Sequence, residues 1–298
     1  MRTIAGLLVA GAASVVLTAG APAAPTKLHG NNFFSNCRFS HVSTNDPIVH
    51  PGMPGQSHSH TFFGNSSTDA YSTLASLLRA PETTCAARGD KAAYWVPTLY
   101  ARGREVRPEK AQFYYVLRGY GQMHPFPPGL RIVAGDAFAV RPQSMRVTYW
   151  ACGGPGVHAR ISSTAPTCGA MRVRPKGIFK LCATCKPQRL AVRTIQTRLE
   201  LHVDFPDCWD GRHLDSPDHK SHMAYSRNYV CPASHPVKVP LIRMTIRYPV
   251  TDGTTVVLAS GGQLSGHADF FNAWDERTLA KLVATCFAGH PCDPRARR

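Results

Sequence analysis

The chain has 298 residues and a formal net charge of +16, with Lys and Arg together numbering 34 against 18 Asp and Glu. That length allows one large domain or two small ones, with a sizeable buried core. The charge suits polyanionic partners such as wall polymers, acidic polysaccharide or phospholipid headgroups. No nucleic-acid-binding motif is visible, so nucleic acid is not expected as a partner.

Residues 1–23 read as a secretory signal: Arg2 gives the positive start, Ile4 to Leu17 is apolar, and Ala19 to Ala24 is rich in small residues. The apolar run is short of the ~20 residues a membrane span needs, and no later segment is apolar enough to span. A linker over 24–31, one β-rich domain over 32–292 and a basic tail over 293–298 complete the division. An exported monomer is expected. Ten cysteines in such a chain imply up to five disulfides, whose connectivity the sequence does not give; pairing of neighbours such as Cys208 with Cys231 is only a guess. Cys182-Ala-Thr-Cys185 could instead be half a zinc site or a redox pair, but no second CxxC completes a zinc set.

In chain order, Leu74 to Arg79 reads as a short helix stopped by Pro81. Tyr94 to Tyr100 reads as a strand, with Pro97 suggesting an edge or a bulge. Phe113 to Leu117 and Met145 to Trp150 follow. In Ile195 to Phe205, Leu199, Leu201, Val203 and Phe205 share one face with Ile195. Gln196, Arg198, Glu200, His202 and Asp204 take the other, the period of a half-buried strand. Ile242 to Tyr248 alternates in the same way, and Thr254 to Ala259 is a further strand. Asp275 to Phe287 is the one long helix, with Asn272 or Asp275 as cap. The fold class is therefore mainly β: a single disulfide-reinforced β-sandwich or jelly-roll-like domain with long loops and one late helix.

Three histidine motifs lie in loop-like stretches: Ser57-His58-Ser59-His60, Asp218-His219-Lys220-Ser221-His222 and Gly266-His267-Ala268-Asp269. His58 and His60, two apart, face the same way if extended, which suits two ligands on one metal. His219 and His222 would be neighbours on a helical turn. One reading is a divalent-metal site drawn from His58, His60, His219, His222, His267 and Asp269. Another is a glycoside hydrolase, whose acid and base would be aspartates because no glutamate lies in these motifs. Asp218, Asp269, Asp210 and Asp46 are the candidates. Trp209 and Trp274 would stack on sugar, with His58 and His222 contacting substrate. Against both stand histidines that only bond loop carbonyls, aspartates that only cap turns and tryptophans that only pack. No GxSxG elbow marks a serine nucleophile.

Several segments together resemble a secreted family of fungi and actinobacteria, the domain-of-unknown-function family numbered nineteen ninety-six. They are Asp46 to Gly52, Ser57 to Asn65, Tyr94 to Tyr100, Cys208 to Gly211, Leu214 to His219, Ser221 to Tyr225 and Gly266 to Phe270. The resemblance runs from about Asn32 to Cys286. It implies an extracellular, wall-associated setting, since fungal members often carry WSC modules linked to carbohydrate; no WSC module follows Cys292 in this chain. It supplies no settled activity. The expectation is a secreted carbohydrate-active protein at a cell wall or extracellular polysaccharide, leaning to a hydrolase. A metal-binding protein or metalloenzyme is one alternative, and a non-catalytic polysaccharide-binding or structural module is the other.

Overall fold

The computed structural model describes residues 27–29, 32–80, 82–87, 89–116, 118–120, 122–154, 157–173, 178–179, 188–189, 192–288 and 290. Eleven strands build its two main sheets: β1 Phe33–Cys37, β2 Phe39–Ser43, β3 His60–Gly64, β4 Ala93–Pro97, β5 Lys110–Val116, β6 Arg131–Gly135, β7 Thr148–Gly154, β8 Val157–Ser162, β9 Arg198–Asp204, β10 Leu241–Arg247 and β11 His267–Phe271. The larger sheet has the order β8-β7-β9-β10-β5-β1, the smaller β6-β11-β4-β3-β2, and every pairing in them is antiparallel.

Period-two alternation turns one face of each sheet inward. Leu199, Leu201 and Val203 of β9 meet Ile242, Met244 and Ile246 of β10 and Phe113 and Tyr115 of β5. From the smaller sheet come Phe63, Tyr94, Val96, Ile132, Ala134, Ala268 and Phe270, and all belong to one buried cluster. Tyr94 stacks on Phe113 across the two sheets, with ring centroids 4.0 Å apart. The mainly β sandwich expected from the alternation is what forms.

The late helix α2, Glu276–Phe287, is capped by Asp275, whose side chain accepts the Thr278 amide, and it buries Leu279, Leu282, Val283 and Cys286. The short helix α1, Leu74–Arg79, carries a capping box on Thr73 and Ser76. Among the described residues, no helix is long and apolar enough to cross a membrane.

Several expectations shift in detail. Pro97 does not mark an edge: β4 is central, and Pro97 sits at its last position, where a missing N–H costs least. The segment from Ile195 to Phe205 breaks at Thr197 into Arg193–Gln196 and β9, which lie in different sheets. Glu200, His202 and Asp204, expected on the open face, are buried. Arg247 and Arg243 ion-pair with Glu200 and Asp204, and Tyr149 stacks on His202. Thr254 falls in a 3-10 turn, and only Val256–Leu258 is strand. Lys27–His29 pairs with Arg118–Tyr120 in a separate two-stranded sheet.

Disulfides join Cys37 to Cys85, Cys152 to Cys168 and Cys208 to Cys231, and Cys286 is also disulfide-bonded. The signal segment 1–23, the tail 293–298, and Cys182, Cys185 and Cys292 lie outside the described residues.

Candidate metal centre

The outer face of the smaller sheet carries the site. His60 of β3 lies opposite Pro97 and Asp269 of β11 opposite Trp95. Continuing that register by two residues brings His267 level with Pro97, so His60 and His267 flank the same position of β4. Two residues beyond His60 and Asp269 the same face turns apolar. Phe62, Ala93, Trp95, Phe271 and Ala273 pack with Ile48 and Leu77 into a second buried cluster. The loop after β2 and helix α1 thus roof one end of this face.

His58, just before β3, completes the group. Its Nε2 is 3.1 Å from Nε2 of His267. The ring centroid of His58 is 4.2 Å from that of His60 and 5.0 Å from that of His267. One ligand atom from each of His58, His60 and His267 lies within 4.8 Å of the others; Asp46, His60 and Asp269 form a second such set. His60 is common to both.

The far ring nitrogens are held by main-chain carbonyls. Nδ1 of His60 donates to the Asn45 carbonyl at 3.2 Å, and Nδ1 of His267 donates to the Ser265 carbonyl at 2.9 Å. A proton fixed on Nδ1 leaves a lone pair on Nε2. This is how metal-ligating histidines are oriented from behind. Nε2 of His60 and both carboxylate oxygens of Asp269 are buried and without a hydrogen-bond partner. Buried polar atoms left this way are costly, and a cation between them would satisfy all three.

The electrostatics fit a cation site. Burial lowers the pKa of His58 to about 4, with His50 adding to the effect, and lowers that of His267 to about 3. Burial drives that of His60 well below its ordinary value. The three rings are neutral at pH 7, the form that binds metal. Burial, then the neighbouring Asp46, holds the carboxyl of Asp269 well above the usual range. Asp46 is also raised by burial, although its Oδ1 accepts the amides of Ile48 and Val49 at 2.9 Å.

The other expected site residues are elsewhere or otherwise engaged. His219 and His222 do not join the cluster. His219 has a left-handed backbone (φ 57°) and turns its Nδ1 to Asp215 at 3.0 Å. His222 uses Nε2 on the Arg131 carbonyl at 2.6 Å and Nδ1 on Ser216 Oγ at 2.9 Å, so neither nitrogen is left for a metal or a substrate.

Asp218 caps its own loop, accepting from the amides of Ser221 and Lys220 and the hydroxyls of Ser216 and Ser221; these bonds hold it far below the usual carboxylate range. Partial desolvation pushes Asp210 up, but bonds from the His213 amide, the His213 ring and the Arg212 amide outweigh it and bring the pKa down to about 2. Neither suits a general acid at neutral pH.

Trp274 is 2 % exposed and donates to the Tyr115 hydroxyl at 2.7 Å, so its ring is core and offers no face to a sugar. Trp209 is half-buried against the core and donates to the His213 carbonyl at 2.6 Å. Sequence reasoning missed the Asn45 and Ser265 carbonyls, because a main-chain acceptor has no residue signature. It also passed over Lys220, whose ammonium donates to the Gly135 carbonyl beside His267 and acts electrostatically on both His267 and Asp269.

Among the described residues, the remaining close grouping, Cys37, Cys85 and Asp90, has its sulfurs joined in a disulfide and offers no thiolate.

No curated protein and no solved structure matches this chain. Residues 46–274, which include Asp46, His58, His60, His267 and Asp269, match the family described as Domain of unknown function (DUF1996). The match covers well over half of the chain, which therefore belongs to that family.

Proposed function

We infer that this protein is an extracellular metalloprotein whose His58, His60 and His267 hold one divalent transition metal, with Asp269 as a fourth ligand or as the carboxyl facing the metal-bound water. The observation that carries the reading is the buried, partnerless Nε2 of His60 beside the partnerless carboxyl of Asp269. Three imidazoles suit zinc or copper and leave a position for water, which the ion would activate as a nucleophile. His58 is the half-exposed member, so solvent and substrate approach from its side.

The net charge of +16 favours an anionic polysaccharide or wall polymer as the substrate, and the disulfides favour an oxidising, extracellular setting. A hydrolase resting on Asp218 or Asp210 finds less support, since loop amides already hold both carboxylates, joined by serine hydroxyls at Asp218 and by the His213 ring at Asp210.

Elemental analysis after mild purification tests the centre. One equivalent of metal is expected in the native chain and none in the His58→Ala, His267→Ala double variant. A metal at about 100 times its Kd should also stabilise the native chain by about 2.7 kcal/mol. A metal-free native protein whose melting temperature ignores added zinc and copper would end this reading.

A further inference from the structure

The segment after β6 leaves the smaller sheet next to His267 and carries the two most exposed of the large apolar side chains among the described residues. Phe138 is 90 % exposed and Val140 85 % exposed, with Met145 also outside. Large apolar side chains so far out of the body make no contacts that stabilise the fold. The turn itself is firmly built. The Phe138 amide donates to Asp136 Oδ1 at 2.9 Å, and the Ala139 amide donates to the Asp136 carbonyl. Gln143 pins the base: its amide donates to the carbonyls of Leu264 at 2.7 Å and Gly266 at 2.9 Å, the latter adjacent to His267. The result is a braced finger with an apolar tip.

Cations accompany the apolar side chains. Arg141 and Arg146 are exposed on the same segment. A cavity of about 230 Å³ opens at the finger's base, with Asp136, Gln143 and Val147 on the finger side and Lys220 and Tyr225 among its other lining residues.

We propose that residues 136–146 form a membrane-docking finger: Phe138 and Val140 enter the acyl boundary of an anionic lipid surface while Arg141, Arg146 and Lys220 meet headgroup phosphates. The pairing of exposed apolar and cationic side chains selects an anionic lipid surface. A protein partner needs a broad complementary patch of roughly 800 Å². Two exposed apolar side chains with exposed arginines on the same segment fit a bilayer interface, where apolar insertion and headgroup attraction add. Docking there would hold the histidine centre, tied to the finger through Gln143, at the membrane surface. This goes beyond the metal reading and stands without it.

The test is co-sedimentation of the full chain with vesicles of mixed phosphatidylcholine and phosphatidylglycerol, against vesicles of phosphatidylcholine alone. Binding to the anionic vesicles is expected. Phe138→Ser with Val140→Ser should weaken it by about tenfold or more, and Arg141→Gln or Arg146→Gln by about fivefold each. All four side chains are exposed, so an unchanged melting temperature should certify folding. Three results would overturn the proposal. The native chain fails to bind anionic vesicles. The double serine variant binds as well as the native chain, which would assign binding to charge or to the N-terminal apolar segment. Or the native chain is a dimer that the serine variant dissociates, which would make the tip a contact between copies.

Discussion

Asp269 and the three histidines pull the stability of the metal-free protein in opposite directions with pH. Unfolded, Asp269 ionises near 3.8; folded, burial keeps it protonated to a much higher pH. Its contribution is complete below the unfolded value and is lost as pH rises toward the folded one, at about 1.4 kcal/mol per pH unit. The histidines behave in reverse. Their contribution is present above 6.5, the unfolded value, and is lost as pH falls toward about 4 for His58 and about 3 for His267. Asp269→Asn removes the first effect and leaves the second. In chelator-treated protein the variant should therefore melt above the native chain, by a margin that widens from pH 5 to pH 8. With metal bound the order should reverse, because an ionised Asp269 then offsets the charge of the ion. Melting curves at both pH values, with and without chelator, read this out. A margin that does not change with pH would mean that Asp269 is already ionised in the folded protein, and the cation site would lose its main support.

At the scale of elements, the centre depends on how closely β6 and β11 approach. Gly135, the last residue of β6, pairs with His267 and has φ 84°. A Cβ there would lie 2.5 Å from the Gly266 carbonyl oxygen and 2.9 Å from the His267 Cα. Both neighbours are main chain, so β11 would have to move. Gly135→Ala should cost about 1–3 kcal/mol from backbone conformation alone and should weaken metal binding as well, by shifting His267. Isothermal titration of zinc beside a melting curve separates these effects, and unaltered zinc affinity would show that His267 holds its place without β6. The strands themselves were legible in the sequence. Inward Leu199, Leu201 and Val203 alternate with polar residues because one sheet face is buried. That Glu200, His202 and Asp204 are buried too was not legible, since their partners Arg247, Thr245 and Arg243 sit on β10, more than 35 positions along. The site was half legible. His58 with His60, and His267 with Asp269, stand out by spacing, but their meeting across 209 positions is a product of topology. His219 and His222 looked equivalent to them, and only the left-handed turn at His219 and the Arg131 carbonyl show that they are not.

Across the whole molecule, Trp274 joins the two sheets and the late helix. It follows β11, bridges to Asp90 through the main chain, and immediately precedes the Asp275 cap of α2. Its indole N–H donates to Tyr115 of the larger sheet. Tyr115 and Tyr94 share a 2.6 Å hydroxyl contact, and the Tyr94 hydroxyl reaches the carboxyl of Asp90 at 3.0 Å. Burial raises the pKa of that carboxyl to about 7. Phe33 packs edge-on against the indole, 6.3 Å between ring centroids. A buried chain of this kind stabilises only when each member is satisfied. Trp274→Phe keeps an aromatic ring but removes the first donor, which leaves Tyr115 short of a partner at a cost of about 1–3 kcal/mol. Metal content should be unchanged, because Trp274 lies inside the fold while the histidines lie on the outer face of the smaller sheet. The same variant separates a packing role from a sugar-stacking one. Denaturant unfolding should show the loss of stability, and retention on an acidic polysaccharide should match that of the native chain. A variant of native stability that no longer binds the polymer would instead make Trp274 a ligand platform and would require the indole to leave the core.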